Sequence, residues 1–178
     1  SDVTDEEQFN PKFGITWNPI QSTTLRGAVF RTFTRTLVTD QTLEPTQVAG
    51  FNQFFDDFEA TDAWVYGVAL DQKFPKDVYF GAEFSYRDLE VPFIDFDLTL
   101  NEADWEEYLG RAYLNWTPYA WLAMKAEYLY EKFEREEIIT EGIKDLETHR
   151  VPLGINFFHP SGLSVGILAT YIDQKGTI

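Results

Sequence analysis

Val78-Tyr79-Phe80-Gly81-Ala82-Glu83-Phe84-Ser85-Tyr86-Arg87 is the stretch whose reading decides the fold. Val78, Phe80, Ala82, Phe84 and Tyr86 fall on one side of it; Tyr79, Gly81, Glu83, Ser85 and Arg87 fall on the other. A β-strand has a side-chain period of two, so this run has one greasy, aromatic-rich face and one face of charges and small residues.

The same alternation recurs in about eight segments. Phe13, Ile15 and Trp17 face one way, with Lys12, Gly14, Thr16 and Asn18 between them. Leu25, Val29 and Phe33 oppose Arg26, Thr32 and Thr34, although Ala28 and Phe30 blur the contrast. Trp64, Tyr66, Val68 and Leu70 oppose Gly67, Ala69, Asp71 and Lys73. Tyr108, Ala112, Leu114 and Trp116 oppose Glu107, Arg111 and Asn115. Leu122, Met124, Ala126, Tyr128 and Tyr130 oppose Lys125, Glu127 and Glu131. Val151, Leu153, Ile155 and Phe157 make a seventh apolar face; Leu163, Val165, Ile167, Ala169 and Tyr171 make an eighth. One alternating segment also suits a half-buried soluble strand, but eight in a row, each long enough to cross a bilayer at a tilt, point to a membrane barrel. In such a barrel lipid-facing residues alternate with residues facing a polar lumen. The expected fold class is therefore all-β, an antiparallel up-and-down transmembrane β-barrel. Residues 1–178 are expected to form a single barrel segment with no separate plug or soluble domain. A soluble sandwich, its apolar faces packed on each other, is the alternative.

Composition agrees with the class. A mean hydropathy of -0.30 suits a soluble protein, but a barrel hides from that measure because only half of each strand is greasy. Aromatic residues reach 17%, and such residues form the interfacial girdles of membrane barrels. No run of ~18 apolar residues marks a transmembrane helix. There is no cysteine, which excludes disulfides and thiolate metal sites. Neither a signal peptide nor a start Met is visible.

The connections alternate in length. Four short ones contain proline: Asn18-Pro19 to Thr23, Phe74-Pro75-Lys76-Asp77, Thr117-Pro118-Tyr119-Ala120 and His159-Pro160-Ser161-Gly162. Proline presets a turn and cannot donate to a ladder. Three long ones cover roughly residues 36–63, 88–104 and 134–148, and all are acidic, which accounts for much of the net charge of -16. Short turns on one side and long loops on the other match the periplasmic and external ends of an outer-membrane barrel. Nucleic acid is excluded as a partner because it requires a basic footprint. Both ends of the chain then fall on the long-loop side, and no terminal aromatic closes the last strand. We expect an internal slice of a larger barrel; a closed ring of eight strands competes with that reading.

Several stretches resemble known sequences. Phe9-Asn10-Pro11-Lys12-Phe13-Gly14-Ile15-Thr16-Trp17-Asn18-Pro19, followed by Thr24-Leu25-Arg26-Gly27-Ala28, resembles the barrel strands of TonB-dependent receptors. Gln41-Thr42-Leu43-Glu44-Pro45-Thr46-Gln47-Val48-Ala49-Gly50-Phe51-Asn52-Gln53 is similar to a segment of bacterial outer-membrane proteins that carry periplasmic tetratricopeptide repeats ahead of a TonB-receptor-like barrel. So are Gly110-Arg111-Ala112-Tyr113-Leu114 and the stretch from Pro152 to Leu163. The resemblance covers nearly the whole chain. It implies a bacterial outer-membrane location, a barrel that continues past residue 178, and transport or export. The partners implied are outer-membrane lipid and the remaining strands of the barrel or a periplasmic repeat region. No plug domain or TonB box stands in this chain, which weighs against TonB-driven import.

Candidate functional residues are the inward charges: Lys12, Arg26, Asp71, Lys73, Glu83, Arg87, Glu107, Arg111, Lys125, Glu127, Glu131 and Arg150. Both signs are interspersed, as in a self-neutralising ladder; a selectivity lining would cluster one sign. A second candidate is the aromatic patch of the first long loop, Phe51, Phe54, Phe55 and Phe58. Folded inward it plugs or lines the lumen; turned outward it binds a partner, and the barrel is an anchor. Asp95, Asp97 and Glu106 fit a partial calcium-loop pattern, but Leu100 stands where the sharp turn needs Gly. No metal or cofactor is expected. Nor is catalysis: His149 and His159 are expected at opposite rims, and no nucleophile elbow or His-Glu-x-x-His motif is present.

Overall fold

The computed structural model describes residues 9–34, 47–53, 57–94, 100–135 and 144–177. These residues form strands β1 (Lys12–Ile20), β2 (Thr23–Phe33), β3 (Gln47–Val48), β4 (Phe51–Asn52), β5 (Asp62–Phe74), β6 (Val78–Ile94), β7 (Leu100–Tyr119), β8 (Leu122–Arg135), β9 (Asp145–Phe158) and β10 (Ser164–Thr177). No helix occurs among them. The eight long strands make one antiparallel sheet in the order β1-β2-β5-β6-β7-β8-β9-β10; β3 and β4 form a separate hairpin. The sheet is not closed. β1 and β10 are its two edges, so the eight-strand ring is not what this chain forms.

Two prolines expected at corners lie instead at strand ends. Pro19 is within β1 and Pro118 within β7, and in each case the register slips, between Trp17 and Ile20 and between Trp116 and Tyr119. A proline has no N–H for the ladder, so the chain bulges around it. The turn of the β7–β8 hairpin is thereby moved to Ala120-Trp121. With a short turn around Thr117-Pro118-Tyr119-Ala120, the expected register sets Arg111 opposite Glu127, Tyr113 opposite Lys125 and Leu109 opposite Leu129. The observed partners are Leu129 for Arg111, Glu127 for Tyr113 and Glu131 for Leu109. The slip is two residues, so every side chain keeps its face.

The second long connection is mostly strand. β6 and β7 stay paired out to Ile94 and Leu100, so the acidic residues from Asp88 to Asp104 are largely ladder residues. Between β2 and β5 the chain also builds structure. The β3–β4 hairpin turns on Ala49 (φ 48°) and Gly50 (φ 90°). Two consecutive left-handed residues are what a two-residue hairpin turn of the primed type requires.

The sheet has two unlike faces. One, the aromatic face, carries Trp17, Val29, Tyr66, Val68, Phe84, Leu114, Trp116, Tyr128, Leu153, Ile155, Phe157, Val165, Ile167 and Tyr171, all exposed. The other, the ionic face, carries the charges singled out above. Among the described residues, both hydrophobic cores form on the ionic face. One joins Ala28, Phe30, Val65 and Ala69 to Phe51 of the hairpin. The second, nearer the loop end, joins Ala63, Leu89, Val91, Ala103 and Trp105, with Phe93 and Phe133 against it.

The polarity of the two faces exchanges partway along the strands. On β6, Val78, Phe80, Ala82, Phe84 and Tyr86 make the aromatic face, but Asp88 and Glu90 continue it. Leu89 and Val91, on the ionic side, are 1% and 2% exposed. On β7 the same exchange puts Asp104 and Glu106 on the aromatic side and Ala103 and Trp105 in the core. A row of tyrosines marks the boundary. Tyr66, Tyr86 and Tyr108 stand directly opposite one another on three strands, with ring centroids 6.1 Å and 5.0 Å apart.

Candidate functional site: the ionic face and the hairpin across it

All twelve singled-out charges lie on the ionic face by strand parity, and the structure brings six of them into one chain. Arg26 on β2 pairs with Asp71 on β5 (3.0 Å) and Glu83 on β6 (3.5 Å). Glu83 reaches Arg111 on β7 (3.7 Å), and Arg111 reaches Glu127 on β8 (3.1 Å). Lys125 closes the row on Glu127 (3.1 Å). Acid and base alternate across five strands, so each charge is neutralised by its neighbours. Tyr113 donates to Asp71 from across β6, 2.7 Å away, with its ring over Gly81. A Cβ at position 81 would collide with that ring.

A second network lies nearer the loop end. Arg87 is 5% exposed and bridges Glu107 and Asp57. Two part-buried carboxylates around one buried guanidinium hold the chain at residue 57 down on the sheet. Arg150 and Glu131 pair at 3.6 Å, both well exposed. Lys73 stands near the turn end with its Nζ 5.3 Å from the Tyr79 ring centroid. Lys12 is exposed on edge strand β1.

The β3–β4 hairpin straps across the ionic face at β1, β2 and β5. Small residues make its bed. A Cβ at Gly14 would stand 3.0 Å from Val48 and Ala49, and a Cβ at Gly67 would stand 2.6 Å from the Phe51 ring. Arg26 seals the strap, donating to the Ala49 carbonyl (3.2 Å) and covering the Phe51 ring at 5.5 Å. A side chain at Gly50 would strike the Arg26 guanidinium. This explains the blurred alternation of β2: Ala28 and Phe30 sit on the ionic face because Phe51 covers them. Phe51 is buried and Phe58 is 62% exposed. Phe54 and Phe55 lie outside the described residues, as do Asp95 and Asp97 of the calcium pattern. Glu106 of that pattern is on β7, where it accepts hydrogen bonds from Tyr86 (3.1 Å) and Tyr108 (2.6 Å).

Beyond the tyrosine row the aromatic face is acidic. Asp88, Glu106, Glu134 and Asp145 stand opposite one another in sequence across β6 to β9, and Glu90 stands between Asp62 and Asp104. Partial burial, then Glu106 and Asp104, push the Asp88 carboxyl above its usual range. Burial, then Asp62 and the β7 acids, does the same to Glu90, against a smaller pull from Arg31. Arg31 forks onto Asp62.

Sequence reasoning missed two features. The aromatic–acidic exchange was visible as a phase shift, since Leu89-Glu90-Val91 and Ala103-Asp104-Trp105 alternate as regularly as the strand before them. The cavity beneath Asp57–Thr61 left no local signal, because its walls come from four separate segments.

No family model matches this chain, and neither curated proteins nor solved structures yielded a similar one.

Proposed function

We propose that this chain is a membrane-spanning sheet of a bacterial outer-membrane β-barrel and forms part of the wall of a transport or export conduit. The observation that carries this reading is the exchange of polarity at the tyrosine row. From Val78 to Tyr86, nine residues, the aromatic face is apolar and the opposite face is ionic. Beyond Tyr86 the outer side is acidic and the inner side is a packed core. A strand in one solvent keeps one phase throughout. A strand that passes from lipid into water reverses it, and ~9–11 tilted residues suffice to cross. Tyrosine rings at the boundary suit an interfacial girdle.

In this reading lipid covers the aromatic face. Unpaired strand edges are not tolerated in hydrocarbon, so β1 and β10 pair with the remaining strands of the barrel. About eight strands leave an interior filled by side chains, whereas a conduit needs more. The ionic ladder then lines a wet lumen, and the β3–β4 strap narrows it. The resemblance to TonB-receptor-like barrels supports the same assignment. An anchor whose loops bind a partner is the second reading; the inward packing of Phe51 removes one of the aromatic residues it would use.

The test is folding with and without lipid, followed by a solute-permeation assay on the reconstituted protein. We expect native β-structure and a heat-modifiable gel band only in detergent or vesicles, and entry of small solutes into the vesicles. Folded, monodisperse protein in detergent-free buffer would contradict membrane placement. Sealed vesicles around correctly inserted protein would leave the anchor reading in place of the conduit.

A further inference from the structure

A cavity of about 200 Å³ opens on the ionic face at the loop end, between Asp57–Thr61 and strands β6, β7 and β8. Its walls are aromatic. Phe58 meets Trp105 edge-on at 5.6 Å, and Trp105 meets Phe133 edge-on at 5.4 Å. The Arg135 guanidinium lies over both rings, 4.2 Å from the Trp105 centroid and 4.7 Å from that of Phe133.

Three polar groups of this cavity have no partner. Trp105 is 6% exposed, and its indole Nε1 makes no hydrogen bond. Thr61 is 1% exposed, and its hydroxyl has none either. The buried Nε of Arg135 is also unmatched, and Arg135 pairs with no carboxylate among the described residues. An indole N–H and a guanidinium are donors only. Leaving such donors buried and unmatched is costly, so the cavity calls for an acceptor. The two acids at its edge, Asp57 and Glu107, are already held by Arg87. Among the described residues Arg135 is left without a carboxylate, and it lies over two aromatic rings.

We propose that this cavity binds a small organic monocarboxylate with a flat apolar body. The carboxylate accepts from Trp105 Nε1, Thr61 Oγ1 and Arg135, and the body rests against Phe58 and Phe133. The Arg135 guanidinium matches one negative charge; a dianion would also meet the neighbouring acids Asp57 and Glu107. The volume is below the ~300–1,000 Å³ of a drug-sized site, so the ligand is small. The site lies beyond the tyrosine row, and its occupancy does not depend on what covers the aromatic face.

Benzoate is the probe, titrated into ¹⁵N-labelled full chain held in the medium in which it folds. The Trp105 indole resonance is assigned by its loss in Trp105→Phe. We expect it to shift saturably with benzoate while the other indole resonances stay in place, and benzyl alcohol to have no effect. Arg135→Gln should weaken binding about tenfold, the loss of one charge-assisted contact. Phe58→Ala, at the exposed mouth, should weaken it without altering the fold, and it carries the test if Arg135→Gln misfolds. Absence of a saturable shift would show a cavity that holds only water, and equal binding of benzyl alcohol would overturn recognition of the carboxylate.

Discussion

Glycine 67 shows how much a single position decides. It faces the ionic side of β5, and the Phe51 ring lies where its side chain would be. Gly67→Leu should therefore expel Phe51 and detach the strap, read as faster amide exchange at residues 47–52 with the eight-strand ladder unchanged. Phe51→Ala removes a buried ring and should cost about 3–5 kcal/mol in denaturant unfolding. On the other face, Val68→Arg should cost about 2–4 kcal/mol in a bilayer if that position meets lipid near the midplane. Glu90→Arg, beyond the tyrosine row on the same face, should cost nothing and relieves a row of like charges. Equal costs for the two arginines in lipid would contradict the exchange of environments. The sequence shows Gly14 and Gly67 only as gaps in a polar face. It does not say what fills them, because the filling comes from a hairpin about thirty-five residues away in one case and sixteen in the other.

Strands were legible in the sequence wherever one phase of alternation persisted, and all eight long strands fall where the pattern puts them. Their loop-end extensions were not. Asp88, Glu90, Glu102 and Asp104 give 88–104 the charge density of a solvated loop, although Leu89, Val91, Ala103 and Trp105 keep the period of two in the opposite phase. Register was legible only to parity, since Pro118 sits in a bulge instead of a corner. Cysteines in Ala112→Cys with Tyr128→Cys should crosslink, because these residues are direct partners at a spacing a disulfide spans. Ala112→Cys with Ala126→Cys should not; the reverse result would restore the corner turn at Pro118. The acidic rows make the β6–β7 extension pH-dependent. Asp88 and Glu90 have raised carboxyl pKa values, so the folded protein holds these protons more tightly than the unfolded chain. Stability here is lost as pH rises through their raised range and regained as pH falls back through it. Amide protection at residues 88–92 and 102–106, corrected for intrinsic exchange, should grow on acidification from neutral pH; a decrease would show that the acids are paired, not crowded.

Across the whole molecule, the central claim is that one sheet serves two solvents. Turn-side rings, the apolar band, the tyrosine row and the acidic rim follow one another on the aromatic face, while ladder and core follow one another on the ionic face. The open edges at β1 and β10 and the apolar face between them then have a common explanation in a wider barrel in lipid. The direct measurement is a nitroxide scan along β6 in lipid vesicles, one label at a time from position 80 to 91, with oxygen and a water-soluble nickel chelate as relaxation agents. Labels at Phe80, Ala82 and Phe84 should be open to oxygen and shielded from nickel, the preference should cross over near Tyr86, and labels at Asp88 and Glu90 should be open to nickel. Labels at Gly81, Glu83 and Ser85 should be wetter than their neighbours, and those at Leu89 and Val91 shielded from both agents. Nickel access at every even position from 80 to 90, with no crossover, would contradict the account.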